Sequence, residues 1–303
     1  VSTWDLIHGD SLAIMPTLEQ GSIDAIVTSP PYADQRHYNG SVRLTAREKS
    51  RKQRREAPMQ FVDWLMPFLA AMKPLLAERG SLMLNLGVVM RNGEESAYAD
   101  EVLRRAREEQ DWKLLHRMVW SKENSLPPSH RAYLHISHEH IFWLAPSIRA
   151  YRGYDGGYAD PAIPSEPDYD PRTRRRRQHS ETSLRRINDA YMLRKDERYS
   201  KRGKAHELHP DGPKPQTVLT YGVGGTRGLK HPAVMTLGLA DELVGMACPP
   251  GGLVLDPFAG SCTTGVAAIG SGRRFLGIEQ NEDYLAEAQG RLMSQTPTLE
   301  GLS

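Results

Sequence analysis

Two stretches of the chain hold residues whose types and spacing could do chemistry. The first is Ser29-Pro30-Pro31-Tyr32, which follows the apolar run Ala25-Ile26-Val27. Proline cannot donate a ladder hydrogen bond and its ring fixes φ, so a strand running through Val27 must stop there. What projects from the strand end is a rigid tip: a hydroxyl, proline carbonyls that the sheet does not claim, and a phenol ring. Such a tip suits a flat ring bearing an amino group. The second stretch is Asp256-Pro257-Phe258-Ala259-Gly260-Ser261-Cys262, with Glu279 placed 23 positions after Asp256. Strand, glycine turn, helix, then a strand ending in an acid make half of a nucleotide-binding α/β unit, and the spacing is near that at which an acid meets ribose hydroxyls. The turn lacks the G-x-G-x-x-G pattern, which disfavours a pyrophosphate and favours a ligand with adenosine but no phosphates. Glu279 would then accept from the ribose and Gly260 would let backbone approach the ligand. The plain alternative is a structural βαβ unit with solvent-facing acids.

The elements that must carry these residues follow from hydrophobic periodicity. Trp4 to His8 reads as a strand ending at Gly9-Asp10, and a second strand leads into Ser29. Phe61, Trp64, Leu65, Phe68, Leu69, Met72, Leu75 and Leu76 recur at helical spacing, with Pro67 and Pro74 expected to kink or segment the helix and Arg79-Gly80 to end it. Strands are expected over Ser81 to Leu86, Leu114 to Lys122 and Glu139 to Leu144, and a helix from about Ser96 to Asp111. After a long irregular stretch, Val234 to Ala247 reads as a helix and Leu253 to Leu255 as a strand. A helix then opens at Thr263 or Thr264, Arg273 to Ile278 forms a strand, and Asn281 caps a last helix. Alternating strands and helices predict an α/β fold with a largely parallel sheet.

Composition bounds the rest. No apolar run approaches the roughly 20 residues that cross a bilayer, and the first residues lack a secretory pattern, so a cytoplasmic protein is expected. Two cysteines allow neither a disulfide framework nor a cysteine zinc cluster. His135, His138 and His140 alternate along one segment, but no carboxylate or cysteine spacing completes a site, so no metal is expected. The net charge of +2 conceals a separation: Ala33 to Ala57 carries 8 Lys/Arg against 3 Asp/Glu, and Pro171 to Lys204 carries 13 against 4. Two basic segments on an acidic body suggest a surface for a polyanion, or else two solvated basic loops. Arg51, Lys52, Arg54 and Arg55 lie in the first; Arg172 and Arg174, Arg175, Arg176 and Arg177 lie in the second, near Tyr169, Tyr191 and Tyr199, and suit phosphate contacts. The expected layout is a first half over 1–148 including a basic loop at 33–57, an Arg-rich inserted region over 149–225 with one helix near Ser183 to Leu193, a second half over 226–294, and a disordered tail over 295–303.

Here the motifs reach a family resemblance. Asp256 to Thr264, followed by Gly277-Ile278-Glu279 and Tyr284, resembles the S-adenosylmethionine loop of amino-group DNA methyltransferases, and Thr28 to Tyr32 resembles their catalytic tetrapeptide. Catalytic motif first and cofactor loop near the C-terminus, with a variable insertion between, is the order of the beta class. The resemblance implies a doubly wound α/β methyltransferase fold with circularly permuted motifs and an inserted DNA-recognition region. It implies S-adenosylmethionine as cofactor, bound by Asp10, Asp256, Phe258, Gly260, Ser261, Thr263, Glu279 and His231. Ser29, Pro30, Pro31 and Tyr32 become the catalytic residues, and Trp120, Lys122, Asn124 and His138-Glu139 resemble the region lining the target-base pocket, where Lys122 would also meet DNA. One departure is Cys262, where the family usually has glycine; positive φ would strain a cysteine there and a helical φ would not. Double-stranded DNA is the implied partner, with room for a cognate restriction endonuclease acting on the same site without binding the chain. Oligomeric state and recognition sequence are written in none of these motifs.

The chemistry then follows from the tip. An exocyclic amine is a poor nucleophile because its lone pair conjugates with the ring. Hydrogen bonds from the amine to Ser29 and the Pro30 carbonyl would favour a pyramidal nitrogen, with Tyr32 stacked on a base flipped from the duplex. There is no Pro-Cys dipeptide, which disfavours the covalent route to 5-methylcytosine. In the resembling family, serine before Pro-Pro-Tyr is commoner in N4-cytosine enzymes and aspartate in N6-adenine enzymes, so N4-cytosine is the expectation. The rivals are N6-adenine, an RNA or protein-amide target, and a non-catalytic DNA-binding module that keeps the fold.

Overall fold

The computed structural model describes residues 3–31, 51–91, 94–123, 134–148, 217–223 and 235–295, with backbone alone for 51–57 and 91. In chain order the strands are β1 (Trp4–His8), β2 (Ile23–Thr28), β3 (Leu76–Gly87), β4 (Met90–Arg91), β5 (Glu94–Glu95), β6 (Lys113–Lys122), β7 (His138–Ala145), β8 (Val218–Tyr221), β9 (Leu253–Asp256) and β10 (Arg274–Glu279). The helices are α1 (Ser11–Ile14), α2 (Arg51–Met72), α3 (Tyr98–Gln110), α4 (Leu237–Ala247), α5 (Thr263–Gly270) and α6 (Glu282–Met293).

Eight strands form one sheet in the order β1-β10-β9-β2-β3-β7-β6-β8. Every pair from β1 to β3 is parallel, β7 is antiparallel to both neighbours, and β8 is parallel to β6. Apolar side chains cover both faces, as strands buried on both sides require. On one face α2 and α3 enclose Phe61, Leu65, Leu69, Met72, Tyr98, Val102 and Trp112 against Leu82, Leu84 and Phe142. On the other, α4, α5 and α6 bring Leu239, Leu243, Val266, Ala267 and Leu292 onto Ala25, Val27, Val254 and Phe275. This is the expected three-layer α/β architecture. The chain winds from β9 to β10 in one direction and from β2 to β3 in the other, so the order reverses between the adjacent strands β9 and β2. In open α/β sheets ligands bind at the carboxyl ends beside such a reversal.

Several boundaries differ from the sequence reading. Helix α2 begins at Arg51, inside the segment read as a basic loop. Arg51-Lys52-Gln53-Arg54-Arg55-Glu56-Ala57 consists of good helix formers, and an amphipathic criterion alone misses a helical turn with no apolar face. The helix ends at Met72, before a 3₁₀ turn over Lys73–Leu75 that places Pro74 in its first turn, and the strand starts at Leu76 rather than after Gly80. Residues 77–80 are a bulge, since Ile23 pairs with Leu76 but Ala25 already pairs with Ser81. A side chain at Gly80 would sit 2.8 Å from the Ile23 carbonyl oxygen, so the glycine serves this bulge and not a helix end. At the far edge, Val218–Tyr221, read as part of the insertion, is a strand whose Leu219 and Tyr221 are buried in the core. The expected helix near Ser183 to Leu193 and, after its first residue Gln295, the expected tail lie outside the described residues.

Candidate active site

Four strand ends meet beside the order reversal. At the end of β1 the Gly9 amide donates to the Glu279 carbonyl (3.0 Å), so β1 and β10 finish level. Asp10, exposed, caps α1 by accepting from the Leu12 amide at 2.9 Å. Ser11 donates to the Pro257 carbonyl at 2.5 Å, which fastens this corner to the turn after β9.

That turn is docked onto β10. The Ala259 amide donates to the Ile278 carbonyl (3.0 Å), and the Gly260 amide donates to Glu279 Oε2 (2.7 Å). Glu279 Oε1 accepts from the Asn281 amide at 2.7 Å, so two backbone N–H groups fix the carboxylate plane. Burial pushes the Glu279 pKa up, opposed by those amides, which favour the charged form. Gly260 adopts φ +51, as the close turn demands. Cys262 does so too, at φ +57 and ψ 40, so the strained alternative is the one realised; its side chain is fully buried as the residue preceding α5.

Asp256 does something the sequence did not disclose. It is buried, and its Oδ1 accepts from Thr28 Oγ1 at 2.7 Å and from the Phe258 amide at 3.1 Å. Burial pushes its pKa up to about 6, against the pull of those hydrogen bonds. One carboxylate therefore ties the last residue of β2 to the turn after β9. Asp256 thereby positions the two motifs relative to each other. Phe258, expected at the cofactor, packs on Trp64 and Phe68 of α2 with ring centroids 5.7 and 4.9 Å away. Ser261 and Thr263 are buried, and Arg291 of α6 donates to the Ser261 carbonyl and to Thr263 Oγ1 (3.2 Å). Arg291 carried no sequence signal.

At the tip, Ser29 is half-buried, Pro30 buried and Pro31 half-buried. Ser29 Oγ accepts from Asn85 Nδ2 at 3.4 Å, and the same Nδ2 donates to Glu139 Oε2 at 2.7 Å. Lys122, expected to meet DNA, instead donates to Glu139 Oε1 at 2.5 Å and lies 5.0 Å over the Trp120 ring. Asn85 was missed, although a lone asparagine inside Leu82-Met83-Leu84-Asn85-Leu86 is the kind of buried polar residue that marks a site. Tyr32, Asn124, His231 and Arg172, Arg174, Arg175, Arg176 and Arg177 lie outside the described residues, as do the side chains of Arg51, Lys52, Arg54 and Arg55. Burial raises the thiol pKa of Cys248 to about 12 and pushes that of Cys262 up as well, so neither is a thiolate near neutral pH. Among the described residues, no group of three or more His, Cys, Asp or Glu could hold a metal ion, and no helix is long and apolar enough to cross a membrane.

A mostly parallel sheet with a glycine turn and a terminal acid on one side of the reversal, and a proline-stopped polar tip on the other, is the arrangement of the S-adenosylmethionine-dependent methyltransferase class. A family model described as DNA methylase, for the N6/N4 amino-methyltransferases, matches residues 23–290, and the chain belongs to that family. It is 26% identical over 291 residues to the DNA adenine methyltransferase YhdJ of Escherichia coli K12, covering 95% of this chain and 82% of that protein. It is 25% identical to the type II methyltransferase M.Cfr9I of Citrobacter freundii, covering 96% and 88%. Among solved structures, the PvuII cytosine-N4-specific DNA methyltransferase superposes with a TM-score of 0.64 at 20% identity, over 99% of this chain and 90% of the other. A DNA modification methylase of Thermus thermophilus, TTHA0409, solved with S-adenosylmethionine, gives 0.58 at 21%, over 97% and 96%. These two likenesses establish the fold.

The described residues fit the family's cofactor. Glu279 is a carboxylate whose backbone partners hold it in one plane, and its oxygens keep lone pairs for hydroxyl donors. Exposed Asp10 stands at the neighbouring strand end, and the turn approaches Glu279 through Gly260 at positive φ. When bound, S-adenosylmethionine supplies an electrophilic methyl group on a sulfonium.

Proposed function

We propose that this DNA methyltransferase methylates the exocyclic N4 amine of a cytosine flipped from duplex DNA at a specific sequence. The observation that carries the reading is the placement of Ser29: one residue past Thr28, whose hydroxyl is bonded to Asp256 of the cofactor turn. Acceptor tip and cofactor turn are therefore joined by a hydrogen bond at adjacent strand ends, and alignment is the main requirement for direct transfer. Ser29 and the Pro30 carbonyl accept from the amine and orient its lone pair. Tyr32 stacks on the base, Glu279 and Asp10 hold the cofactor's hydroxyls and adenine side, and the basic residues at 51–55 and 172–177 meet phosphates. The neutral Ser29 in place of a carboxylate favours cytosine. Likeness to type II methyltransferases such as M.Cfr9I supports a restriction endonuclease acting on the same site in the host.

The second reading is N6-adenine, favoured by the likeness to YhdJ. Incubation with duplex DNA and methyl-labelled cofactor, followed by nucleoside separation, decides between them: label in N4-methylcytosine is expected. Label in N6-methyladenine would move the assignment to the second reading. Bound cofactor with no label in any nucleoside would remove DNA as the substrate.

A further inference from the structure

We propose that Lys122, Glu139 and Asn85 form a hydrogen-bonded line, with Glu139 accepting from both of the others, that positions the catalytic hydroxyl of Ser29. The line extends the reading of Ser29 as the acceptor of the target amine and rests on it. Its geometry follows from the sheet register. Thr28 pairs with Leu84, so Ser29 comes level with Asn85 on the neighbouring strand. Across the antiparallel pair Asn85 faces Ile141, and two residues on Gly87 faces Glu139, so Asn85 and Glu139 share a face. Glu139 in turn faces Trp120 on β6, and Lys122 lies two residues further along the same face. Three strands thus deliver one polar line to the tip of a fourth.

The orientation of the asparagine amide is fixed by the far end of the line. Lysine only donates and an ionised carboxylate only accepts, so Lys122 on Glu139 Oε1 leaves Oε2 to accept from Asn85. That contact decides which end of the asparagine amide faces inward: Nδ2, not Oδ1, is the atom within reach of both Glu139 (2.7 Å) and Ser29 (3.4 Å). Asn85 is fully buried, Glu139 is 3% exposed and the Lys122 side chain 19% exposed. Burying an ion pair and an amide beneath a strand tip is costly for stability alone, and an apolar set of similar volume would pack there at least as well. The return is at Ser29. A donor from Asn85 occupies one lone pair of Oγ and selects its rotamer, so the remaining lone pair and the hydroxyl hydrogen face the pocket. The last link is long and would hold nothing alone; the two shorter ones hold the amide that makes it.

A residue that acts through Ser29 has an effect that vanishes when Ser29 is gone. Five variants test this: Ser29→Ala, Asn85→Leu, the isosteric Glu139→Gln, and Ser29→Ala combined with each of the other two, all made in the full chain. Single-turnover methylation rates and equilibrium affinities for cofactor and duplex DNA are measured. Asn85→Leu is expected to slow methyl transfer about tenfold or more while both affinities stay within about twofold, and to add nothing in the Ser29→Ala background. Glu139→Gln lets the amide of Asn85 turn over and is expected to give a smaller loss, again only where Ser29 is present. If Asn85→Leu does not fold, Glu139→Gln with and without Ser29→Ala decides alone. Rates that multiply independently in either double variant, or losses equal in rate and affinity, would overturn the line. Should Ser29→Ala itself leave the rate unchanged, it is the reading of Ser29 that fails, a different result from a line that fails beneath a working serine.

Discussion

At the cofactor turn, the polar groups that define the site are held chiefly by backbone close in sequence. Glu279 is gripped by the amides of Gly260 and Asn281, 19 and 2 positions away, and Asp256 by that of Phe258. At the acceptor tip the support comes from side chains on other strands: Asn85 is 56 positions from Ser29, and Glu139 a further 54 from Asn85. Backbone grips depend on chain conformation and leave side-chain identity free to serve the ligand. Side-chain grips depend on every partner being present. On the proposed function the turn is built to bind and the tip to be aligned, and the bond from Thr28 to Asp256 couples the two.

The largest effect is expected from breaking that coupling. Asp256→Ala leaves the Thr28 hydroxyl and the Phe258 amide without their buried acceptor and should cost about 3 kcal/mol of stability, read by denaturant unfolding, with methylation lost. Asp256→Asn sharpens the same point through pH. A carboxyl whose folded pKa is raised, here from 3.8 to about 6, contributes stability that is fully present below its unfolded value and lost as pH rises through the folded one. Wild type should therefore gain on Asp256→Asn as pH falls from about 7 to 4, by at most about 3 kcal/mol. A gap independent of pH would show that the two states bind this proton equally.

Smaller effects separate the turn from the tip. Glu279→Gln puts an amide nitrogen against one of two backbone donors and removes a charge; cofactor affinity by calorimetry should fall roughly 10- to 100-fold, about 1.5–3 kcal/mol. Unchanged affinity would take Glu279 out of the cofactor site. Cys262 gives the finest test. Cys262→Gly relieves the left-handed backbone at the cost of buried packing, so stability should shift by less than about 1 kcal/mol. Cys262→Ala keeps the strain and loses the packing, and should be the less stable of the two. The reverse order would mean that the backbone is not strained there.

The contrast also explains what could be read from the sequence. The turn was legible because its function lies in local order: the glycine, the helix start and the acid at the next strand end fall within 24 residues, and Gly260, Glu279 and the Asn281 cap occupy their expected places. The tip was legible as a motif but not as a site. Pro30 and Pro31 announce a strand end, yet nothing near Ser29 names Asn85, because their meeting depends on the register of β2, β3 and β7. For the same reason nothing near Asp256 names Thr28 and nothing near Lys122, read as a DNA contact, names Glu139, because each meets its partner across the sheet. Helix α2 was read short at its start because its first residues carry helix propensity without an apolar face, and the bulge at Gly80 passed for a helix end because glycine suits both.

The central claim is that Ser29 aligns the accepting amine and contributes little to holding DNA. Single-turnover methylation by Ser29→Ala, with duplex DNA and cofactor affinities measured in parallel, tests it directly. The account predicts a rate loss of roughly 100-fold with both affinities within about twofold of wild type. A variant that loses rate and DNA affinity in equal measure, or that keeps its rate, would contradict it.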